Sequence, residues 1–284
     1  MKYSIIIPAH NEEVHLKNAL SSVRRQTHQP ISVIVVNDNS DDATESIIDE
    51  FAATDSNIHK LNIVSSHLHM PGSKVVNAFN SGLEQLRADY DFIVKMDADI
   101  ILPDDYFEKI ATIFKNHPNV GIAGGFAYEQ DETGIWKRNH PMDNDHVRGA
   151  FKSYRKNCFH AMAGLRNAMG WDTVDELLAK FHGFDIHTDE SLKVKHLRPI
   201  GKAYNKKAKL LQGKAMYTMR YGFAITLIAS SKMAWKQGKF KSLLDNLRGY
   251  FSAKKERAPF LVTETEGEFI RALRWKNIKN KLLK

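Results

Sequence analysis

Three short runs of apolar, mostly β-branched residues each stop abruptly at polar or acidic residues. Tyr3–Ile7 leads into the letters PAHNEE, Ser32–Val36 into NDNSDD, and Asp91–Lys95, after one methionine, into DAD. Runs this short and this apolar are typical of strands buried on both faces of a sheet. Segments with helical spacing of apolar residues separate them, at 11–26, 42–51 and 74–87. Strands that alternate with helices predict βαβ units and a parallel sheet.

The alternation continues as far as residue 200. Further strands are predicted at 61–65, 120–126 and 186–197, helices at 103–116 and 172–181, and a strand or helix that returns to the sheet at 147–159. The predicted fold class is therefore α/β, with a mostly parallel central sheet flanked by helices. From residue 205 onward the pattern is helical and basic. We predict a first domain at 1–201 and a basic helical C-terminal extension at 202–284.

The formal net charge of +8 conceals two halves of opposite sign. Residues 1–150 contain 13 Lys and Arg against 22 Asp and Glu, a net charge of −9. Residues 151–284 contain 28 basic against 11 acidic residues, a net charge of +17. A split of this kind indicates that the two halves meet different partners.

Several classes of protein are excluded by what the sequence lacks. The single cysteine, Cys158, rules out an intramolecular disulfide framework and a cysteine-cluster metal site, and we expect it to be a buried packing residue. The N-terminal residues become polar too early for a signal peptide. No uncharged apolar stretch approaches the roughly 18 residues of a membrane-spanning helix. Neither a dinucleotide G-x-G-x-x-G nor a P-loop follows the first strand.

Polar and acidic side chains follow the first, second and fourth predicted strands. In open α/β sheets, ligands bind beyond the carboxyl ends of the strands, so these side chains mark the expected binding edge. Acidic groups repel bare phosphate, and a phosphate ligand at this edge would need a cation to bridge it. Asp97 and Asp99 offer the hard oxygen ligands that suit Mg²⁺ or Mn²⁺.

An ordered set of motifs carries a family resemblance. The segments SIIIPAHNEE, VIVVNDNSDDAT, PGSKVVNAFNSGL and VKMDADI, followed by GIAGGF, GWDTVDELLAKFHGF and VKHLRPIG, resemble family 2 glycosyltransferases with the GT-A fold. The resemblance covers residues 1–201. It implies a metal-dependent, inverting transfer of a sugar from a nucleoside diphosphate donor, a UDP-sugar, to an acceptor hydroxyl. The expected acceptor is a glycan or a lipid-linked glycan of the cell envelope.

The resemblance also implies roles for single residues. Asp97 is expected to contact the ribose, and Asp99 to bind the metal that bridges the diphosphate. His196 is expected to face the metal or the diphosphate, and Arg198 to pair with a phosphate. The remaining donor-binding residues are Pro8, Ala9, Asn11 and Glu12 around the nucleoside, Asp38 on the pyrimidine ring, and Lys74 near the uracil or the diphosphate.

The base that takes the acceptor proton is implied less directly. The family pattern places it 11 residues before a glycine followed by an aromatic residue, and counting back from Gly183 gives Asp172. A shifted alignment chooses Asp175 instead, and helix capping by Asp172 is the structural alternative. Trp171 replaces the glutamate usual there and is expected to line the acceptor pocket. The loop beside the acceptor is Gly124, Gly125 and Phe126.

The basic extension and two rival functions stay open at this stage. Aromatic residues among lysines suit an anionic membrane surface, which predicts a peripheral location on the inner face of the cytoplasmic membrane. A solvated basic cap is the alternative, and nucleic acid is not an expected partner. The rival functions are a sugar-nucleotide nucleotidyltransferase, which would show a glycine-rich first loop, and a non-catalytic module that binds sugar nucleotide or membrane.

Overall fold

The computed structural model describes residues 1–65, 72–87, 89–139, 146–198 and 206–282. The described residues form two compact units. The first unit comprises those within 1–69, 74–165 and 182–200, and the second comprises those within 70–73, 166–181 and 201–284. The domain boundary was predicted between residues 201 and 202. Both residues lie outside the described part of the chain, so this boundary stays a prediction.

The first unit contains all the strands that the structure describes. They are β1 (Tyr3–Ala9), β2 (Ser32–Asp38), β3 (Ile58–Ile63), β4 (Phe92–Met96), β5 (Ile100–Ile101), β6 (Val120–Gln130), β7 (Trp136–Arg138), β8 (Phe151–Arg155) and β9 (Asp185–His196). The helices between them are α1 (Leu16–Arg24), α2 (Thr44–Thr54), α3 (Ser73–Gln85), α4 (Tyr106–Asn116) and α5 (Lys156–Ala161). The predicted α/β alternation is confirmed.

The strands form one sheet in the order β3-β2-β1-β4-β8-β6-β9-β5, with β7 paired to β6. Strands β3, β2, β1 and β4 are parallel to one another. Beyond them, β8 runs antiparallel to both β4 and β6, and β6 is parallel to β9. The segment at 147–159, which the sequence left as strand or helix, contains both β8 and α5.

Burial explains why β1, β2 and β4 read as apolar runs. Every residue of β2 and β4 is buried, as are six of the seven residues of β1. The Tyr3 ring stacks on Phe92 with centroids 4.8 Å apart and contacts Phe107 at 4.6 Å. Strands covered on both faces have no solvent side, so their sequences show no alternation of polar residues.

The parallel register brings the strand ends to a common edge. Ala9 pairs with Asn37 at the ends of β1 and β2, and β4 runs alongside β1 in the same direction. Helix α1 begins only at Leu16, later than the predicted start at Asn11, because Asn11 has a left-handed backbone with φ of 54°. The chain therefore leaves β1 as a short loop at this edge before it becomes helical.

Strand β9 contains a bulge where it pairs with β6. Gly124 of β6 pairs with Thr188, but Phe126 pairs with Lys193, so β9 bulges between these two pairs. A Cβ atom on Gly125 would lie 2.1 Å from the carbonyl oxygen of Leu192 within the bulge. Only glycine leaves room for this close approach of two backbones.

The second unit is helical and consists of α6 (Trp171–Phe181), α7 (Lys206–Thr218), α8 (Gly222–Gln237), α9 (Phe240–Lys255) and α10 (Glu264–Leu282). Helices α7 and α9 pack at very short range, because a Cβ on Gly213 would lie 1.8 Å from the Asn246 carbonyl oxygen. The Phe181 ring of α6 contacts Phe269 of α10 at 5.5 Å. No described helix is both long and apolar enough to cross a bilayer.

The two adjacent glycines of β6 predict unequal costs of substitution. We expect Gly125→Ala to lower the free energy of unfolding by about 3 kcal/mol or more, because its Cβ meets a backbone carbonyl that cannot move alone. Gly124→Ala meets the Val147 Cγ1 atom, 2.3 Å from the added Cβ, and is expected to cost about 1–3 kcal/mol. Urea unfolding monitored by circular dichroism measures both.

A second substitution distinguishes the causes of instability in the two glycine variants. The Val147→Ala change removes the atom that the Gly124→Ala side chain would strike, so the double variant should cost less than the two single changes together. The same background change should give Gly125→Ala no relief. Wild-type unfolding midpoints for Gly125→Ala would show that β6 and β9 are not in such close contact.

Candidate active site

Two loops at the carboxyl edge of the sheet are tied together. The Asn11 side chain donates from Nδ2 to Asp41 Oδ1 at 2.6 Å and accepts from the Asp41 backbone N–H at 3.0 Å. The backbone N–H of Glu12 donates to Thr44 Oγ1 at 2.7 Å. Asn11 thus fixes the loop after β1 against the loop after β2. Pro8 and Ala9 are half-buried and buried beside it.

Asp38 lies at the end of β2 with its carboxylate already engaged. Its Oδ1 accepts from the Ser65 backbone N–H at 2.9 Å, and its Oδ2 accepts from Ser65 Oγ at 2.7 Å. A carboxylate has about four acceptor sites, so each oxygen keeps capacity for a second donor. Lys74, the other residue expected near the nucleobase, is half-buried in the first turn of α3.

The Asp97-Ala98-Asp99 motif follows β4 and presents two carboxylates in different surroundings. Asp97 is partly exposed and forms an ion pair with Lys95, whose side chain is only 2% exposed. Asp99 is buried, and its Oδ1 has no hydrogen-bond partner among the described residues. Burying an unpaired carboxylate oxygen is costly, so this atom marks a place where a ligand fits.

His196 lies beside Asp99 because two short strand segments pair. Ile100 and Ile101 of β5 run antiparallel to the end of β9, with Ile100 opposite His196. The Leu197 backbone N–H closes the pair by donating to the Asp99 carbonyl at 2.9 Å. As a result His196 Nε2 lies 3.4 Å from Asp99 Oδ2, and both side chains are less than a tenth exposed.

A glutamate that the sequence reasoning missed lies behind His196. Glu129 Oε1 is 3.6 Å from His196 Nδ1 and 3.3 Å from Arg148 Nη1. Glu129 belongs to β6, which runs to Gln130 and not only to the predicted end at Phe126. No motif marks this residue. Its one signal is a carboxylate in a strand that continues beyond its apolar run.

Arg198 bridges the loop after β1 and the acidic motif. Its Nη2 donates to Glu12 Oε2 at 2.6 Å, and its Nε lies 3.9 Å from Asp99 Oδ2. Burial raises the pKa of Glu12 to about 7, with Arg198 opposing the shift and the charges of Asp99 and Asp97 adding to it. Burial also disfavours ionisation of Asp99, but the hydrogen bond and charge of His196, together with Arg198, lower the pKa of Asp99 below its usual value.

The Asp99 and His196 pair fits a divalent ion. Asp99 supplies an unpaired carboxylate oxygen and His196 supplies an imidazole nitrogen, a donor set that suits Mn²⁺. Two protein ligands leave the other positions of such an ion for phosphate oxygens and water. Within the described residues, no group of three or more His, Cys, Asp or Glu side chains is arranged to hold a metal by itself.

The residues expected to act on the acceptor lie in two places. Asp172 and Asp175 belong to α6 in the second unit, where Asp172 is half-buried in the first turn and Asp175 is 1% exposed. The helix begins at Trp171, so Asp172 lies inside the first turn and not at the capping position. Trp171 is buried at 7% exposure.

Gly124, Gly125 and Phe126 lie in the interior of the first unit. Both glycines are explained by close packing of β6, and Phe126 is 1% exposed with the Arg138 guanidinium 3.6 Å above its ring centroid. Their predicted contact with the acceptor stays a prediction, and packing is a sufficient reason for all three residue types.

Comparisons with known proteins identify the family and the fold of this chain. The family model described as Glycosyl transferase family 2 matches residues 4–171. The poly-beta-1,6-N-acetyl-D-glucosamine synthase of Staphylococcus epidermidis is 26% identical over 198 residues, which are 64% of this chain and 46% of that protein. The chain spans less than half the length of this relative and of other curated relatives that it matches.

Two solved structures resemble the fold. S. aureus TarS residues 1–349, solved in complex with UDP-GlcNAc, has a TM-score of 0.57 and 19% identity over 75% of this chain and 65% of that chain. The mannosyltransferase PcManGT from Pyrobaculum calidifontis, solved with GDP-Man and Mn²⁺, has a TM-score of 0.57 and 15% identity over 89% of this chain and 75% of that one. The family match covers more than half of the residues, and this chain therefore belongs to glycosyltransferase family 2 and has the GT-A fold.

Proposed function

We propose that this protein is a metal-dependent, inverting glycosyltransferase that moves a sugar from a UDP-sugar to a hydroxyl of a glycan or lipid-linked acceptor. The observation that carries the proposal is the buried Asp99 carboxylate, which contacts His196 through one oxygen and leaves the other unpaired. An unpaired buried acceptor at the carboxyl edge of an α/β sheet favours a cationic ligand. TarS, a structural neighbour, was solved with UDP-GlcNAc, which supports the class of donor.

Asp99 and His196 would hold Mn²⁺ or Mg²⁺ in this proposal. A bound ion supplies Lewis acidity that stabilises the negative charge of the leaving diphosphate. The chain contributes the geometry: β5 and β9 set the distance between the two ligands, and Glu129 lies at the other ring nitrogen of His196. At 3.6 Å it is too far for a hydrogen bond, and Nδ1 has no hydrogen-bond partner among the described residues, so we propose that Glu129 moves closer to orient the imidazole when the ion binds. The complex of PcManGT with Mn²⁺ supports this choice of ion.

The donor is proposed to lie along the carboxyl edge. Asp38 accepts from the pyrimidine ring, Lys74 lies near the uracil or the diphosphate, and Asp97 accepts from the ribose. Pro8, Ala9, Asn11 and Glu12 form the loop that frames the nucleoside. Arg198, whose side chain is 53% exposed, can turn from Glu12 toward a diphosphate oxygen without unfolding any strand.

Asp172 is the proposed general base. In an inverting transfer, this carboxylate takes the proton of the acceptor hydroxyl while the hydroxyl oxygen bonds to the anomeric carbon, and the bond from that carbon to the diphosphate oxygen breaks. A base must be accessible to the acceptor. The half-buried position of Asp172 suits this role better than the 1% exposure of Asp175, which accepts a hydrogen bond from the Glu176 N–H.

The acceptor and the place of action complete the proposal. A relative that is a poly-N-acetylglucosamine synthase supports work on envelope polysaccharide. We propose that the enzyme acts at the inner face of the cytoplasmic membrane and that the basic extension contacts anionic lipid. Lys206, Lys207, Lys209, Lys281 and Lys284 of that extension have side chains outside the described part of the chain.

The first prediction for the candidate site tests the proposed ion ligand Asp99. Asp99→Ala should abolish Mn²⁺-dependent release of UDP from a UDP-sugar and remove high-affinity Mn²⁺ binding measured by electron paramagnetic resonance, because the unpaired carboxylate oxygen is lost. Asp104→Ala removes an exposed aspartate after β5 and serves as the control. If Asp99→Ala binds Mn²⁺ as tightly as the wild type, the ion site is elsewhere.

The second prediction tests Glu129. The isosteric change Glu129→Gln should weaken Mn²⁺ binding by roughly 10- to 100-fold, because the carboxylate charge nearest Nδ1 of the proposed ligand His196 is lost. Glu132→Gln, at an exposed position in the connection that follows β6, should leave Mn²⁺ affinity unchanged. Equal Mn²⁺ affinities for the two variants would remove Glu129 from the site.

The third prediction separates the two candidate bases. Asp172→Asn should keep wild-type affinity for UDP-sugar in a thermal-shift titration and lose transfer to acceptor extract, because only the proton acceptor is gone. Asp175→Asn should keep transfer among the molecules that fold. The opposite result would assign the base to Asp175, whereas donor binding without turnover by the wild type would favour the non-catalytic module.

A further inference from the structure

Helices α8 and α9 of the second unit expose bulky apolar side chains. Trp235 is 89% exposed and Phe240 is 72% exposed. Both values are higher than those of the other exposed Phe and Trp side chains in the described part of the chain. Single exposed apolar residues are normal in soluble proteins, but a row of them marks an interaction surface. The other members of the row are Phe223, Leu227, Ile228, Leu244 and Phe251.

These side chains are placed by a helical hairpin. Gly238 has a left-handed backbone with φ of 61° and ends α8, and α9 begins two residues later at Phe240. Trp235 and Phe240 therefore flank the turn. At the other end of the hairpin, the rings of Phe223 and Phe251 lie 5.6 Å apart. Because Leu227 follows Phe223 at a spacing of four residues, as Leu244 follows Phe240, each helix carries its exposed apolar residues as a stripe.

The same hairpin is strongly cationic. Residues 222–255 contain seven Lys and Arg and one acidic residue, a net charge of +6. The acidic residue, Asp245, is buried at 7% exposure, and its Oδ1 lies 3.9 Å from Arg248 Nη1, so it offsets one basic residue and leaves the lysines uncompensated within the hairpin. The four lysines nearest the turn are all exposed, and they are Lys232, Lys236, Lys239 and Lys241.

The positive charge of the hairpin favours an anionic bilayer over a second copy of this protein as the partner of the exposed side chains. Docking of the hairpin on a second copy of itself would bring two surfaces of +6 together, and their repulsion opposes association. An anionic bilayer offers the opposite charge, and each basic residue near its surface adds to the attraction. Trp and Phe rings at the level of the lipid headgroups, with lysines beside them, match the chemistry of an interfacial helix.

We propose that the α8–α9 hairpin is the docking edge of this protein for anionic bilayers, with Trp235 and Phe240 entering the boundary between headgroups and acyl chains. The inference deepens the proposed membrane contact and rests on it, but it is independent of sugar transfer. It assigns the contact to one turn of the extension and not to its basic charge as a whole.

Vesicle sedimentation with the full chain tests the assignment. The probe is phosphatidylcholine vesicles containing about 30% phosphatidylglycerol, an anionic surface of moderate charge. The double change Trp235→Ser and Phe240→Ser should reduce the fraction bound by at least about tenfold, because two apolar side chains no longer leave water. The control is Trp275→Ser, which removes a less exposed tryptophan from α10 and should bind as the wild type does.

A charge-matched pair of variants separates position from net charge. Lys239→Gln with Lys241→Gln removes two charges next to the turn, and Lys276→Gln with Lys279→Gln removes two exposed charges from α10. The first pair should weaken vesicle binding more than the second. In addition, lipids brominated on the acyl chains should quench a component of tryptophan emission that is absent in Trp235→Ser.

Three experimental outcomes would contradict this proposal, and each has a different meaning. If the turn variants bind as the wild type while the α10 variants do not, the docking edge is wrong and membrane contact through the extension stands. If the wild type does not bind anionic vesicles at all, both the edge and the proposed membrane contact fail, while the UDP-release assays still judge the transferase. If sedimentation velocity shows a dimer that the turn variants abolish, the hairpin is a self-association surface and the proposal is overturned.

Discussion

The antiparallel pairing of Ile100-Ile101 with Lys195-His196 is the constraint on which the candidate site depends. Without it, the acidic motif after β4 and the end of β9 would be two unrelated surface segments, separated by almost 100 residues of sequence. The pairing fixes their distance through backbone hydrogen bonds, which hold atoms more precisely than side-chain contacts do. Asp99, His196 and Arg198 are all placed by it, and Glu129 approaches from the neighbouring strand β6.

Charge balance is the second constraint on this edge of the sheet. Asp97 pairs with Lys95, Glu129 with Arg148 and Glu12 with Arg198. Asp99 shares Arg198 with Glu12 and retains one unpaired oxygen. Concentrated carboxylates are tolerated in a partly buried place only when such partners are present, since isolated buried charges are expensive. The arrangement leaves one buried carboxylate oxygen without a partner among the described residues, and such an atom favours a cationic ligand.

Strong local signals made the fold and the acidic motif predictable from sequence, whereas contacts between distant segments were not. Buried parallel strands must be apolar throughout and must end in polar loops, so β1, β2 and β4 were visible as runs. The pairing of Lys95 with Asp97 and the position of Glu129 depend on which way a side chain points in a strand, and a strand prediction with an uncertain end cannot fix that. Helix α1 begins five residues later than predicted. The Asn11 side chain hydrogen-bonds with the backbone and the side chain of Asp41, which holds this stretch as a loop. The sequence predicted α6 itself, but nothing in the sequence indicated that it belongs to the second unit.

The bulge in β9 makes the length of one short segment a matter of function. Four residues, 189–192, lie between the two pairings with Gly124 and Phe126 on β6, where a regular strand would have one. Successive side chains of a strand point to opposite faces, so a deletion in this segment that shifted the later pairings by one residue would turn the following stretch over by one pleat. Lys193 and Lys195 would then exchange faces with Val194 and His196, and the imidazole would leave Asp99 although no residue of the site had been altered. Natural variation at 189–192 is therefore expected to preserve the number of residues even where it does not preserve their identity.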